Sequence, residues 1–194
     1  MSARQIQAVV MGCSAGGLRA LQVVLGGLQA DCALPIVIVC HTASVELDDL
    51  CSLLARRARR PVIEAPERAQ PQRGHVYLAP SGYHLYIENN QRFALSVDER
   101  VCFSRPSIDV LFESAADAYG SGLVSVLMTG ANDDGAAGTR AVRRRGGLAI
   151  VQDPEDAEVS TMPEAALLLA GADYCVPLNR IAAIISRLSV ISPH

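Results

Sequence analysis

Residues 8–21 read AVVMGCSAGGLRAL, an apolar run that passes through a glycine-rich turn into the start of a helical pattern. A strand ending on Gly-x-Ser-x-Gly-Gly and followed at once by a helix is a βα unit. Gly12, Gly16 and Gly17 permit a sharp turn, close approach of a substrate to the backbone, and tight helix packing. Either the glycines serve the turn and Ser14 is incidental, or the turn exists to present Ser14.

The same rhythm continues along the chain. LPIVIVC (34–40) is an all-apolar β-branched run, the mark of a strand buried on both faces. LDDLCSLLARRA (47–58) reads as a helix and PVIEA (61–65) as a short strand. HVYLAP (75–80) reads as a strand. HLYIENNQRFALSV (84–97) reads as two strands joined by a tight turn at ENNQ, which predicts an antiparallel hairpin. Alternation then resumes: helix at 105–120, strand at 123–128, helix at 134–147, strand at 148–153, helix at 162–171, a strand edge at 173–177, and a last helix at 179–189. The predicted fold is α/β, a doubly wound, mostly parallel sheet with helices on both faces and an inserted hairpin. No linker or repeat interrupts it, so residues 1–194 are expected to form one domain.

Composition narrows the function. A net charge of −3 argues against a dedicated nucleic-acid binder, which carries a strong basic surplus. No apolar run approaches the roughly 20 residues of a membrane span, and the polar start MSARQIQ lacks a secretory h-region. A soluble cytoplasmic protein, not inserted in a membrane, is expected. The six cysteines show no C-x-x-C pair and the four histidines no ligand spacing, so the cysteines read as reduced, mostly core residues and no metal site is expected.

In open parallel sheets, ligands bind beyond the carboxyl ends of the strands. Three such ends carry reactive side chains: Ser14 after the first strand, His41 after the second, and Asn132, Asp133 and Asp134 after the strand at 123–128. Serine, histidine and a carboxylate are the parts of a nucleophile, a proton carrier and an orienting acid. The order Ser, His, Asp differs from the Ser, Asp, His order of α/β-hydrolases. A dinucleotide fingerprint fits poorly, because serine stands where its second glycine belongs. Asp134 also has a simpler reading, as the cap of the helix that follows it. His75 and His84 open strands and read as surface or structural; Arg105, Ser107 and Asp109 read as a helix start flanking the site.

Several blocks taken together resemble the catalytic domain of the protein-glutamate methylesterases of bacterial chemotaxis: GCSAGGLRAL, VIVCH, HVYLAP, RPSIDVLFESAADAYG, LMTGANDDGAAG and MPEAA. They occur in order from about residue 7 to about 190. The resemblance implies hydrolysis of glutamate γ-methyl esters on the cytoplasmic helices of methyl-accepting chemotaxis receptors, releasing methanol, with deamidation of glutamines by some members. By the same resemblance Ser14 is the nucleophile, His41 the general base and acid, and Asp134 the carboxylate. Backbone N–H groups of Ala15 and Ala131 would be the oxyanion donors, and no metal or organic cofactor is implied. Well-known members carry an N-terminal receiver domain. Here the first strand begins within a few residues of Met1, so the expectation is a chain without that domain, with any regulation left to a separate protein. The family often has glutamine before the histidine and a Pro-containing stretch after it; here Cys40 precedes His41 and TASVELDD follows. That difference motivates one rival reading, a carboxylesterase of this fold acting on another ester or amide. A rival of another class is a catalytically idle interaction module of a signalling array, against which the presence of Ser14, His41 and Asp134 together argues.

Overall fold

A computed structural model describes residues 5–41 and 47–190. Seven strands form one parallel sheet: β1 (Ala8–Cys13), β2 (Ile36–Cys40), β3 (Val62–Glu64), β4 (Val76–Leu78), β7 (Leu123–Leu127), β8 (Leu148–Gln152) and β9 (Tyr174–Val176). Their spatial order is β3-β4-β2-β1-β7-β8-β9, so the winding reverses between β1 and β7. β5 (His84–Ile87) and β6 (Phe93–Ser96) pair antiparallel as a separate two-stranded sheet. The predicted hairpin is therefore present, lying beside the main sheet. The strand at 75–80 belongs to the parallel sheet as β4.

Six helices cover the sheet: α1 (Gly17–Gly26), α2 (Leu47–Ala58), α3 (Ile108–Tyr119), α4 (Ala136–Arg144), α5 (Thr161–Leu169) and α6 (Leu178–Val190). Alternate residues of β1 face opposite layers. Val9, Met11 and Cys13 pack with α1, α2 and α6, while Ala8 and Val10 pack with α3, α4, α5 and the hairpin. This two-sided burial explains why β1 and β2 carry no charged or hydrogen-bonding polar side chain.

Two glycines set the geometry that matters for the site. Gly16 caps α1 with φ +77°, a conformation costly for any residue with a Cβ. Gly12 lies so close to α3 that a Cβ there would stand 2.4 Å from Ile108 Cγ2. That contact presses the first turn of α3 against the end of β1, beside Ser14. None of the described helices is long and apolar enough to cross a membrane.

Candidate active site

Backbone pairing brings Ser14 and His41 side by side. Cys13 and Cys40 are register partners on β1 and β2, and each candidate is the next residue of its chain. The His41 N–H donates to Cys13 O at 3.1 Å, while the Ser14 N–H donates to Thr129 O at 2.9 Å. Ser14 is thus held between the end of β2 and the extension of β7, at the point where the winding reverses. Thr129 Oγ1 donates to Ala15 O at 2.8 Å and ties down the next residue of the turn. Ala15 and Ala131 are both exposed, and their N–H groups have no hydrogen-bond partner among the described residues.

Asp134 reaches the site differently. Its side chain is fully buried, yet it does not cap the helix it precedes: Gly135 occupies the N-cap of α4, with no side-chain cap. The carboxylate instead turns to the start of α3. There Oδ1 accepts from Ser107 Oγ at 2.8 Å and from the Asp109 N–H at 2.9 Å, and Oδ2 accepts from the Ile108 N–H at 2.8 Å. The simple capping reading is corrected accordingly. The N-terminal N–H groups of α3, pressed inward at Gly12, are within reach and attract a negative charge.

The favour is returned. Asp109 sits in the first turn of α3, and its Oδ1 accepts from the N–H groups of Gly135 at 2.9 Å and Gly138 at 2.6 Å. Two carboxylates are thereby exchanged between two helix N-termini. Burial raises both, but with different results. At Asp134 it is outweighed by His41, the Asp109 and Ile108 N–H groups and the Ser107 hydroxyl, so the carboxyl stays below its ordinary value and ionised. At Asp109 burial prevails over the Gly138 and Gly135 N–H bonds, helped by the charges of Asp134 and Glu113, and the pKa rises to about 6.

His41 Nε2 lies 3.1 Å from Asp134 Oδ2, oblique to the line of a full hydrogen bond. Such contacts often tighten only when substrate binds. Facing a carboxylate, Nε2 carries the proton of the neutral ring, which leaves the lone pair on Nδ1. Ser104 Oγ stands 3.5 Å from Nδ1. Ser14 is therefore next to a histidine whose free nitrogen can accept a proton and whose other nitrogen is backed by a buried negative charge. Asp133, by contrast, is exposed.

Sequence reasoning undervalued three contributors. His84 is fully buried; its Nδ1 accepts from the Ser107 N–H at 3.2 Å and its Nε2 donates to Glu99 O at 2.9 Å. A structural role for His84 was expected, but not its link through Ser107 to Asp134. Asp109 carries a similar surprise, since a helix-start aspartate gives no hint that it serves a different helix. Ser104 and its neighbours lie in a turn without any recognisable motif. Cys13 is fully buried, and its thiol is raised well above the ordinary value by contact with Cys40 and by burial, as suits a core residue. Cys40 is only half-buried. TASVE, the first part of the loop noted after His41, lies outside the described residues.

Cys102, Asp109 and Asp134 each bring one possible ligand atom within 4.8 Å of the others. Both oxygens of Asp134 are already committed to α3 and His41, so this cluster reads as part of the carboxylate exchange. A cavity of about 200 Å³ shares Gly16 and Thr129 with the loop around Ser14, and is otherwise lined by Arg19, Gln152, Glu158, Asn179 and neighbours.

Comparison with known proteins places this geometry. The family model described as CheB methylesterase matches residues 9–185. A putative protein-glutamate methylesterase/protein-glutamine glutaminase of Leptospira interrogans serovar copenhageni is 43% identical over 182 residues, covering 94% of each chain. A protein-glutamate methylesterase/protein-glutamine glutaminase of Nitrosospira multiformis is 36% identical over 180 residues; the match covers 93% of this chain but 51% of that relative. The crystal structure of the Thermotoga maritima CheB methylesterase catalytic domain superposes with a TM-score of 0.89 at 30% identity, covering 95% of this chain and 99% of that one.

Proposed function

Because this chain belongs to the CheB methylesterase family, we propose that it hydrolyses glutamate γ-methyl esters on the cytoplasmic helices of chemotaxis receptors. Glutamine side chains would be deamidated by the same chemistry. The observation that carries the reading is the buried, ionised Asp134 at 3.1 Å from His41 Nε2, with His41 and Ser14 following register partners on adjacent strands.

Each step uses the chain's own groups. Ser14 Oγ attacks the ester carbonyl carbon while His41 Nδ1 takes the hydroxyl proton, and Asp134 stabilises the imidazolium. The carbonyl oxygen becomes an oxyanion facing the N–H groups of Ala15 and Ala131, beside the positive end of α1. Collapse of this intermediate expels methoxide, which takes the proton from His41 and leaves as methanol. A water then attacks the Ser14 acyl ester with His41 again as base, freeing the glutamate carboxylate and restoring Ser14. A positioned acid–base contributes roughly 10²–10⁴ in rate, and an oxyanion donor roughly 10²–10³.

Methanol release from a methylated receptor cytoplasmic fragment tests the reading. The parent is expected to release methanol, and Ser14→Ala to lose on the order of 10⁴–10⁶ in kcat. Release of p-nitrophenol from p-nitrophenyl esters, with no methanol from the fragment, would favour a carboxylesterase with another substrate, and no turnover of either would favour an interaction module.

A further inference from the structure

The turn at 101–104 touches the site from two directions. Val101 N donates to Ser104 O at 3.2 Å and Ser104 N to Val101 O at 2.8 Å, which leaves Cys102 and Phe103 as the two residues of a tight hairpin loop. Their φ values are +48° and +62°. Asn-Gly fills such a turn with ease, whereas a bulky aromatic at positive φ is an outlier held there by its surroundings. Those surroundings are the site itself. Ser104 Oγ reaches His41 Nδ1, and Arg105 Nη1 ties the base of the loop to Val97 O and Asp98 O.

The fold gains nothing from the ring that it holds so awkwardly. Phe103 is 94% exposed, the most exposed large apolar side chain among the described residues. A strained aromatic that buries no area inside its own chain has its use outside it. Its place at the rim identifies the user, because a polypeptide bringing an ester to Ser14 must pass beside this turn. On a helix, the side chains three and four positions from the ester stand about 5–6 Å from it at Cβ. Leu168, nearly as exposed, projects from the last turn of α5 and shares none of these contacts.

We infer that Phe103 is a specificity-determining residue whose ring covers an apolar side chain of the substrate helix, one turn from the methylated glutamate. This inference rests on the receptor-methylesterase reading. Phe103→Gly removes the ring and relieves the positive φ, so its melting temperature should equal or exceed the parent's. On a methylated helical fragment its KM should rise about 10-fold or more, in keeping with the loss of a buried aromatic, with the change carried by KM rather than kcat. Phe103→Leu should recover most of the loss. A fragment whose flanking apolar residues are replaced by alanine should no longer distinguish parent from Phe103→Gly.

An unchanged KM in a folded Phe103→Gly overturns the inference, as does an equal rise in the control Leu168→Ala. So does a change in oligomeric state by light scattering without a change in KM, which would assign the ring to a second copy of the chain. No methanol from the parent would instead overturn the methylesterase reading, and the inference with it.

Discussion

Ser14 and His41 arrive at the site by one route and Asp134 by another. The first two are the residues next after Cys13 and Cys40 on paired central strands, so the hydrogen-bonded ladder of the sheet puts them together. Asp134 lies in a loop, and its position comes from side chains: its own carboxylate on the first turn of α3, and that of Asp109 on the first turn of α4. A ladder is shared among many backbone groups and tolerates changes of side chain. An exchange of two carboxylates hangs on single residues. One half of the site is robust by construction, and the other is exposed to point mutation.

The contrast is sharpest at Asp134 itself. Asp134→Asn places an amide N–H₂ among donors and takes the negative charge from His41, so kcat should fall about 10⁴-fold in steady-state assays. A loss below tenfold would mean that the loop-borne half is dispensable, and the contrast would collapse. Next comes Asp109. Its folded pKa of about 6 exceeds its unfolded value near 3.8, so the native state holds the proton longer. Stability contributed by this proton is present below about pH 4 and is lost as pH rises through about 6. Asp109→Asn keeps an oxygen acceptor for Gly135 and Gly138 but does not ionise. Relative to the parent it should therefore gain stability between pH 4 and pH 7, by about 3 kcal/mol at most, read as a widening gap in melting temperature. A constant gap would deny that the buried charge is a burden. The smallest effect belongs to the sheet side: Cys40→Ala, next to His41, should change kcat by less than about twofold and stability by less than about 1 kcal/mol. A large loss of activity there would show that side chains, too, hold the ladder-borne half in place.

The same division explains what was legible beforehand. Apolar runs such as LPIVIVC and the turn GCSAGG are local patterns, and local patterns report strands, helices and the strand ends where ligands bind; from them the doubly wound sheet could be read. Contact between His41 and Asp134 joins residues 93 positions apart, and its recognition needed several blocks in register. Asp134 looked like the cap of its own helix because capping is a local habit, while its actual partner begins 27 residues earlier at Ser107. His84 and Asp109 escaped for the same reason: each works on a neighbour that only packing supplies. The turn at Phe103 escaped differently, since Cys-Phe is not a pair whose composition announces a two-residue hairpin.

The bond from the Ser14 N–H to Thr129 O has a consequence in time. β1 is synthesised more than a hundred residues ahead of its neighbour β7, with the hairpin and α3 made in between. No early fragment of this chain can hold the Ser14 turn in shape, however much helix it has formed. Closure of so long a loop is slow compared with helix formation, so the site is assembled among the last features of the molecule. A growing chain can thus be compact well before it is competent.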